Sequence, residues 1–171
     1  DEAIKIFKEA IKSKKNFSQA YNNLANCYKS VNNYEEAIAS YNNSIKSDKN
    51  NHVPYINLAN LYKDKKNYKE AIKIYNKVLQ INNNLNTVYH DLATINSFLG
   101  NFEEARKNFK KSIEINPKYF LSYKNYFVIT KTNPKDEILI RLNKIIKNNN
   151  LDEEQKPSIY FTLSKIYFEN N

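Results

Sequence analysis

Glycine is almost absent from the sequence: Gly100 is the single glycine among 171 residues, where average usage of about 7% would give about twelve. This shortage excludes glycine-rich phosphate loops, dinucleotide-binding fingerprints and the G-x-S-x-G elbow, because each needs several backbone positions that only glycine adopts easily. An all-β fold is also disfavoured, because tight hairpin turns depend on glycine.

Cysteine and histidine are equally scarce. Cys27 is the single cysteine, which excludes an internal disulfide and every Cys-x-x-Cys zinc or redox site. His52 and His90 are too few and too far apart for a histidine-based metal cluster. The longest apolar run covers residues 126–129, whereas a bilayer span needs about 18 apolar residues. We therefore expect a soluble, cytoplasmic protein with no metal, no small-molecule cofactor and no membrane contact.

Arginine and methionine are also rare. The formal net charge is +9, but only Arg106 and Arg141 are arginines, and the lysines are dispersed along the chain. A nucleic-acid footprint would combine a basic stripe with arginine and aromatic side chains, so we expect no specific nucleic-acid partner. Methionine is missing even at the first position, and we expect residues 1–171 to be a segment of a longer chain.

The sequence does contain a repeat with a period of 34 residues. Within one period Tyr21, Leu24, Ala25 and Tyr28 follow the spacing i, i+3, i+4, i+7, which indicates the buried stripe of a helix. A second stripe of the same kind follows, so each repeat is predicted to contain two helices. The columns of the repeat are Tyr21, Tyr55, Tyr89 and Tyr123; Leu24, Leu58 and Leu92; Ala25, Ala59 and Ala93; Ala3, Ala37, Ala71 and Ala105; and Phe7, Tyr41, Tyr75 and Phe109.

The second helix of each repeat begins at a recurring pair of polar residues. An asparagine precedes a glutamate by three positions, as in a capping box with asparagine in the role of Ser or Thr. The asparagine side chain can accept a hydrogen bond from an unpaired N–H of the first turn. The three pairs are Asn33 with Glu36, Asn67 with Glu70, and Asn101 with Glu104.

These units resemble tetratricopeptide repeats, whose pattern runs W-x-x-L-G-x-x-Y, then A-x-x-x-F, then A, then P. In this chain tyrosine replaces the tryptophan and alanine replaces the glycine, while Asn96 and Thr130 stand where tyrosine is usual. The resemblance covers most of the chain. It implies an all-α fold, a right-handed α-α superhelix of about ten antiparallel helices.

The resemblance divides the chain into one array of repeats. We expect Tyr126 and Phe127 to change the packing of one degenerate unit, and its second helix, at about 135–147, to be shifted by one residue. In the last unit Tyr160, Leu163 and Tyr167 match the first-helix pattern. The predicted units are a half repeat at 1–17, full repeats at 18–51, 52–85 and 86–119, a degenerate repeat at 120–150, and the first helix of a truncated repeat at 151–171.

Polar residues lie opposite the apolar stripe of each predicted first helix. In the family these helices line the concave side, so the residues are candidates for contacting a peptide. Asn23, Asn57, Asp91 and Asn125 again differ by 34 positions and resemble the asparagine ladder of O-linked GlcNAc transferase. An amide both donates and accepts, which suits pairing with an extended peptide backbone. The candidate binding residues are Asn22, Asn23, Asn26, Asn57, Asn60, His90, Asp91, Thr94 and Asn125.

Other interpretations of these residues exist. Asparagine is abundant, with 30 in the chain, so the column also fits a compositional bias. His90 and Asp91 have no identifiable nucleophile beside them, so we expect a surface or groove histidine and no acid–base catalysis. A family clamp for C-terminal carboxylates is rejected, because it needs cations at the places taken by Asn22, Thr87 and Asp91.

The resemblance implies a scaffold that binds a protein or an extended peptide and has no catalytic activity of its own. Repeat arrays leave an extended concave surface, which is the physical basis of that role. The alternative is a substrate-recruiting arm of a larger enzyme, with a sulfotransferase-like or glycosyltransferase-like domain elsewhere in the chain. Residues 134–171 are similar to the closing repeats of bacterial tetratricopeptide proteins that carry a sulfotransferase-like domain.

Overall fold

The computed structural model describes residues 2–14, 17–130, 135–148, 153–154 and 156–168. Throughout these ranges the regular elements are α-helices, which confirms the all-α prediction. The predicted boundary at residues 150–151 lies outside the described residues. The ten described helices are α1 (Glu2–Ser13), α2 (Ser18–Ser30), α3 (Tyr34–Ser47), α4 (His52–Asp64), α5 (Tyr68–Ile81), α6 (Asn86–Phe98), α7 (Phe102–Ile115), α8 (Phe120–Ile129), α9 (Glu137–Lys147) and α10 (Lys156–Phe168).

The chain forms two compact units, Asp1–Asn83 and Asn84–Asn171. In the first unit α2 packs on α3, α4 packs on α5, and α1 lies against α2. In the second unit α6 packs on α7, and α8 contacts α6, α7 and α10. The even-numbered helices are the predicted first helices and the odd-numbered helices are the predicted second helices. The exact repeat boundaries stay a prediction.

The turn between a first and a second helix is built in the same way three times. Asn32, Lys66 and Gly100 have positive φ values of 59°, 58° and 77°. Only one of these left-handed positions carries glycine, and a lysine there costs about 1–2 kcal/mol of strain. Each turn is closed as in a Schellman motif. The closing N–H···O bonds run from Asn33 to Tyr28 (2.9 Å), from Asn67 to Tyr62 (2.9 Å) and from Asn101 to Asn96 (2.8 Å).

The predicted capping by asparagine is found at two of its three places. The side chains of Asn33 and Asn67 each accept from the backbone N–H of the glutamate three residues later, at 3.4 Å. Asn101 makes no such bond, so the third prediction is wrong. Its amide donates to Asn96 Oδ1 at 3.3 Å instead. The physical reason is the replacement of the usual tyrosine by Asn96, whose carbonyl oxygen attracts the capping side chain.

Small residues lie where paired helices meet. Ala25 and Ala37 are fully buried in the core of the first unit, and Ala93 and Ala105 are fully buried in that of the second. Large side chains from both helices of a pair fill the space around them, as close packing requires. In the first unit these include Leu24, Tyr28, Tyr41, Leu58 and Leu61.

The last helix buries a different stripe from the one that its pattern predicts. Tyr160 and Tyr167 are 52% and 50% exposed, whereas Ile159, Leu163 and Ile166 are buried in the second core. The predicted register of α10 is therefore wrong by one position. The three buried residues follow the spacing i, i+4, i+7, and burying these wholly aliphatic side chains keeps the polar tyrosine hydroxyls at the surface, where that of Tyr167 accepts from Asn143 at 3.1 Å.

Replacing Ala59 by leucine is expected to lower the free energy of unfolding by about 1–3 kcal/mol, because extra methylene groups overpack a filled core. Ala59 is fully buried, and Ala25 in the same column should behave alike. The same change at the exposed Ala39 of α3 is the control and should be near neutral. Urea unfolding measures both, and equal stabilities of Ala59→Leu and Ala39→Leu would contradict the helix pairing.

Candidate functional site

Asparagine side chains from two neighbouring first helices meet in the first unit. Asn57 Nδ2 on α4 donates to Asn22 Oδ1 on α2 at 2.9 Å, and both side chains are half-buried. An amide has two N–H groups and one carbonyl oxygen, so this bond uses one of the three functions of Asn57. The pair thus fixes the orientation of an amide that can still bond elsewhere. Asn23, on the same helix as Asn22, is also half-buried.

Two further candidate asparagines are held by tyrosines of their own repeats. The Tyr41 hydroxyl donates to Asn26 Oδ1 at 2.6 Å, and the Tyr75 hydroxyl donates to Asn60 Oδ1 at 2.5 Å. Burial raises the pKa of Tyr41 to about 12. Because both hydroxyls come from buried second-helix side chains, each bond closes the space between the two helices of a repeat. We call each of these pairs a tyrosine–asparagine lock.

The third repeat has no such lock, because both partners are replaced. Thr94 occupies the column of Asn26 and Asn60, and Phe109 occupies that of the tyrosines. The Thr94 hydroxyl donates to the His90 backbone oxygen at 2.9 Å, within its own helix. Phe109 is buried and carries no hydroxyl that could cross to α6.

His90 is buried, so the expectation of a surface or groove histidine is wrong. Its Nδ1 lies 2.9 Å from Ser122 Oγ on α8, which in turn lies 2.8 Å from Ser112 Oγ on α7. The ring makes edge contacts with Phe109 and Tyr119, with centroids 5.4 and 5.2 Å away. Small serines on two neighbouring helices leave room for the ring and give it a polar partner, which explains its inward position.

Asp91 and Asn125 lie in the second unit and remain partly exposed. Burial, and then the negative charge of Asp91, raise the pKa of the Tyr119 phenol. Asn125 on α8 helps to line an open pocket of about 320 Å³, together with Thr94 and Phe98 of α6 and Phe109 of α7. The structure thus brings two of the predicted residues, Thr94 and Asn125, to one cavity.

Apolar residues at this pocket were missed in the sequence analysis. Phe98 and Val128 are 73% and 77% exposed, although both are large and apolar. The alignment of the 34-residue repeats could have identified both residues, because the corresponding positions in the other repeats are polar. Those columns read Ser30, Asp64 and Phe98, and Asn26, Asn60, Thr94 and Val128.

A metal site and a membrane-spanning helix are both absent from the residues that the structure describes. In that part of the chain no group of three or more His, Cys, Asp or Glu side chains could hold a metal ion. Over the same ranges no helix is both long and apolar enough to cross a membrane. The cytoplasmic location stays a prediction.

Profiles of the tetratricopeptide repeat match residues 18–51 and 51–118, which together make up more than half of the chain. The chain belongs to the tetratricopeptide repeat family. A comparison with curated proteins gives no match. The likeness of residues 134–171 to proteins with a sulfotransferase-like domain stays a prediction.

Solved tetratricopeptide structures are similar to the chain in fold. A crystal structure of MamA has a TM-score of 0.72 at 19% identity and covers 91% of this chain and 89% of its own. YrrB, described as a TPR protein with an unusual peptide-binding site, has a TM-score of 0.71 at 22% identity, covering 96% and 83%. The first TPR of Spaghetti (RPAP3), bound to the HSP90 peptide SRMEEVD, has 0.61 at 24%, covering 66% and 89%.

Proposed function

We propose that this tetratricopeptide chain is a protein-interaction scaffold that binds an extended peptide segment of a partner on the concave face formed by its first helices. The observation that carries the proposal is the hydrogen bond between Asn57 and Asn22. It orders an amide, in the column that the repeat predicts for peptide contact, before any partner arrives. Binding through an ordered side chain costs less conformational entropy than binding through a mobile one.

The chemistry of the amide column suits a peptide backbone. Each peptide unit presents one N–H and one C=O, and an asparagine side chain can pair with both at once. Asn23, Asn57 and Asn125 offer this pairing independently of the peptide's side chains, so affinity would come from the main chain. Asp91 in the same column accepts hydrogen bonds but does not donate when ionised, and its charge favours a basic group nearby.

Relatives of the same fold support a binding role. YrrB and the Spaghetti repeat are described with a peptide-binding site and with a bound peptide, respectively. The sequence identities of 22% and 24% indicate a shared fold, whereas the binding site of YrrB and the HSP90 peptide of Spaghetti are properties of those proteins. For this chain we propose the class of partner, a protein segment in extended conformation, and a scaffold role without catalysis.

Changing Asn23, Asn57 and Asn125 together to alanine is expected to weaken peptide binding about tenfold or more, because each lost hydrogen bond contributes about 0.5–1.5 kcal/mol. The ligands are peptides selected on the wild-type chain from a random 12-residue display library. Affinity is measured by fluorescence anisotropy with the full 171-residue chain.

The matched control changes Asn42, Asn43 and Asn76 to alanine. These three asparagines are exposed on second helices, so the composition changes equally while the first helices stay intact. We expect this control to bind as the wild type does, and circular dichroism to show equal helix content in both variants. Equal affinities of a folded triple variant and the control would falsify the amide column as the binding surface.

A further inference from the structure

The second unit contains an open pocket lined by Thr94 and Phe109, the residues that stand in the columns of the tyrosine–asparagine locks. We propose that this pocket, between α6 and α8 above Phe109, binds one large apolar side chain of the peptide and that Asp91 selects a basic residue beside it. This inference rests on the proposed function and adds the class of peptide. Thr94, Phe98, Asn125 and Val128 line the pocket or its rim.

The origin of the pocket is visible in the comparison of repeats. In the first unit Asn26 and Asn60 each accept a hydrogen bond from a buried tyrosine, which bridges the two helices of the repeat. In the third repeat the amide becomes Thr94 and the tyrosine becomes Phe109. The hydrogen bond between the two helices is therefore absent from this repeat, and both replacing residues line the cavity.

The character of the lining favours an apolar occupant. Phe98 and Val128 are largely exposed at the rim, although burial of such large apolar side chains is favourable. Exposed apolar residues that lie together on a soluble domain mark interaction sites. Val128 also lines a second pocket of about 280 Å³ with Phe127 and Phe161, where Lys124 and Thr130 add polar groups.

The open shape of the pocket favours a side chain over a small-molecule ligand, because small-molecule sites enclose about 70–90% of the ligand surface. Its opening to solvent suits an anchor whose main chain stays outside. Asn125 in the lining can hydrogen-bond that main chain, as the amide column requires.

The negative charge of Asp91 favours a basic residue in the peptide beside the apolar one. Asp91 lies three residues before Thr94, which is about one turn along α6, so both lie on the same side of the helix. The negative charge of Asp91 also acts on Tyr119, the residue directly before α8. A lysine or arginine next to the apolar anchor complements that charge.

The decisive variant rebuilds the lock of the first unit in the third repeat. The double variant Thr94→Asn/Phe109→Tyr introduces an amide in the column of Asn60 and a hydroxyl in the column of Tyr75. In the first unit the Tyr75 hydroxyl oxygen and Asn60 Oδ1 lie 2.5 Å apart. We expect wild type to select display peptides with a large apolar residue at a fixed position. The double variant should bind those peptides about tenfold more weakly or worse, because the buried anchor is lost.

Two further variants keep the test decisive. Asn42→Thr/Asn76→Thr changes two exposed residues of second helices, outside the amide column, and should leave the selected apolar residue unchanged. Val128→Asn changes only an exposed rim position to the residue of its own column, so it tests the pocket even if the double variant does not fold. We expect it to weaken the selected peptides about fivefold, within the range for losing part of an apolar contact.

The outcomes separate this inference from the proposed function. If wild type selects peptides without a preferred apolar residue, or if the double variant and Val128→Asn bind them as wild type does, the pocket is not a specificity site. If those peptides still depend on Asn23, Asn57 and Asn125, the proposed function stands without the pocket. Asp91→Asn should abolish the preference for lysine or arginine while keeping the apolar anchor, and an unchanged preference would overturn the role of Asp91.

Discussion

Replacing Tyr75 by alanine is expected to lower the free energy of unfolding by about 3–5 kcal/mol, the range for removing a large aromatic side chain from a core. Tyr75 is fully buried in α5, and its hydroxyl donates to Asn60 across the repeat. The change leaves a cavity and removes the lock at once. Urea unfolding followed by circular dichroism measures the loss.

The conservative change separates packing from the hydrogen bond. Tyr75→Phe keeps the ring and removes the hydroxyl, so we expect a loss of about 0.5–1.5 kcal/mol. Phe109 shows that phenylalanine fits this column, since it is buried there naturally. A loss for Tyr75→Phe as large as that for Tyr75→Ala would mean that the hydroxyl, and not the packing of the ring, dominates at this position.

Raising the pH above 10 is expected to destabilise the chain strongly. Burial raises the pKa of both Tyr41 and Tyr123 to about 12, from an ordinary value near 10. The unfolded chain therefore loses these protons first. The stabilisation from each protonated phenol is complete below pH 10 and is lost as the pH rises towards 12. Since one unit corresponds to about 1.4 kcal/mol, each tyrosine accounts for about 2–3 kcal/mol.

Tyr123→Phe isolates one of these two contributions. The buried Tyr123 hydroxyl has no hydrogen-bond partner among the described residues, so its removal should cost no stability at pH 7. Between pH 10 and 12 the variant should lose about 2–3 kcal/mol less stability than the wild type does. Urea unfolding at stepwise increasing pH gives both curves, and identical slopes would contradict the assignment to Tyr123.

The helices and their pairing could be predicted because they depend on short-range spacing. The columns of Tyr21, Ala25 and Ala37 place apolar residues on one face of each helix, and such faces must pack together. The same logic failed for α10, where Tyr160 matched the family pattern but Ile159 is buried. Two overlapping apolar stripes were available in that helix, and only packing against α8 selects one of them.

The side-chain contacts of the site could be predicted less completely. The sequence placed Asn22, Asn57, Thr94 and Asn125 on first helices, which the structure bears out, since a helix position follows from periodicity. Their bonding partners come from other helices, and for His90 the serines of α7 and α8 decide that it is buried. A hydrogen bond needs a donor and an acceptor about 3 Å apart. The repeat pattern contains no distances between side chains of different helices, so it cannot predict these partners.

The 34-residue pattern alone establishes which residues form helices and where the repeated turns lie, because these features depend on neighbours within one or two turns. The tertiary structure decides which amides are bonded and which space stays open. Thr94 and Phe109 lie 15 residues apart in sequence, and the fold brings both to the lining of one open pocket with Asn125 and Val128 of another helix. The spacing of the repeat contains no information about that open space, because it depends on how side chains of different helices pack.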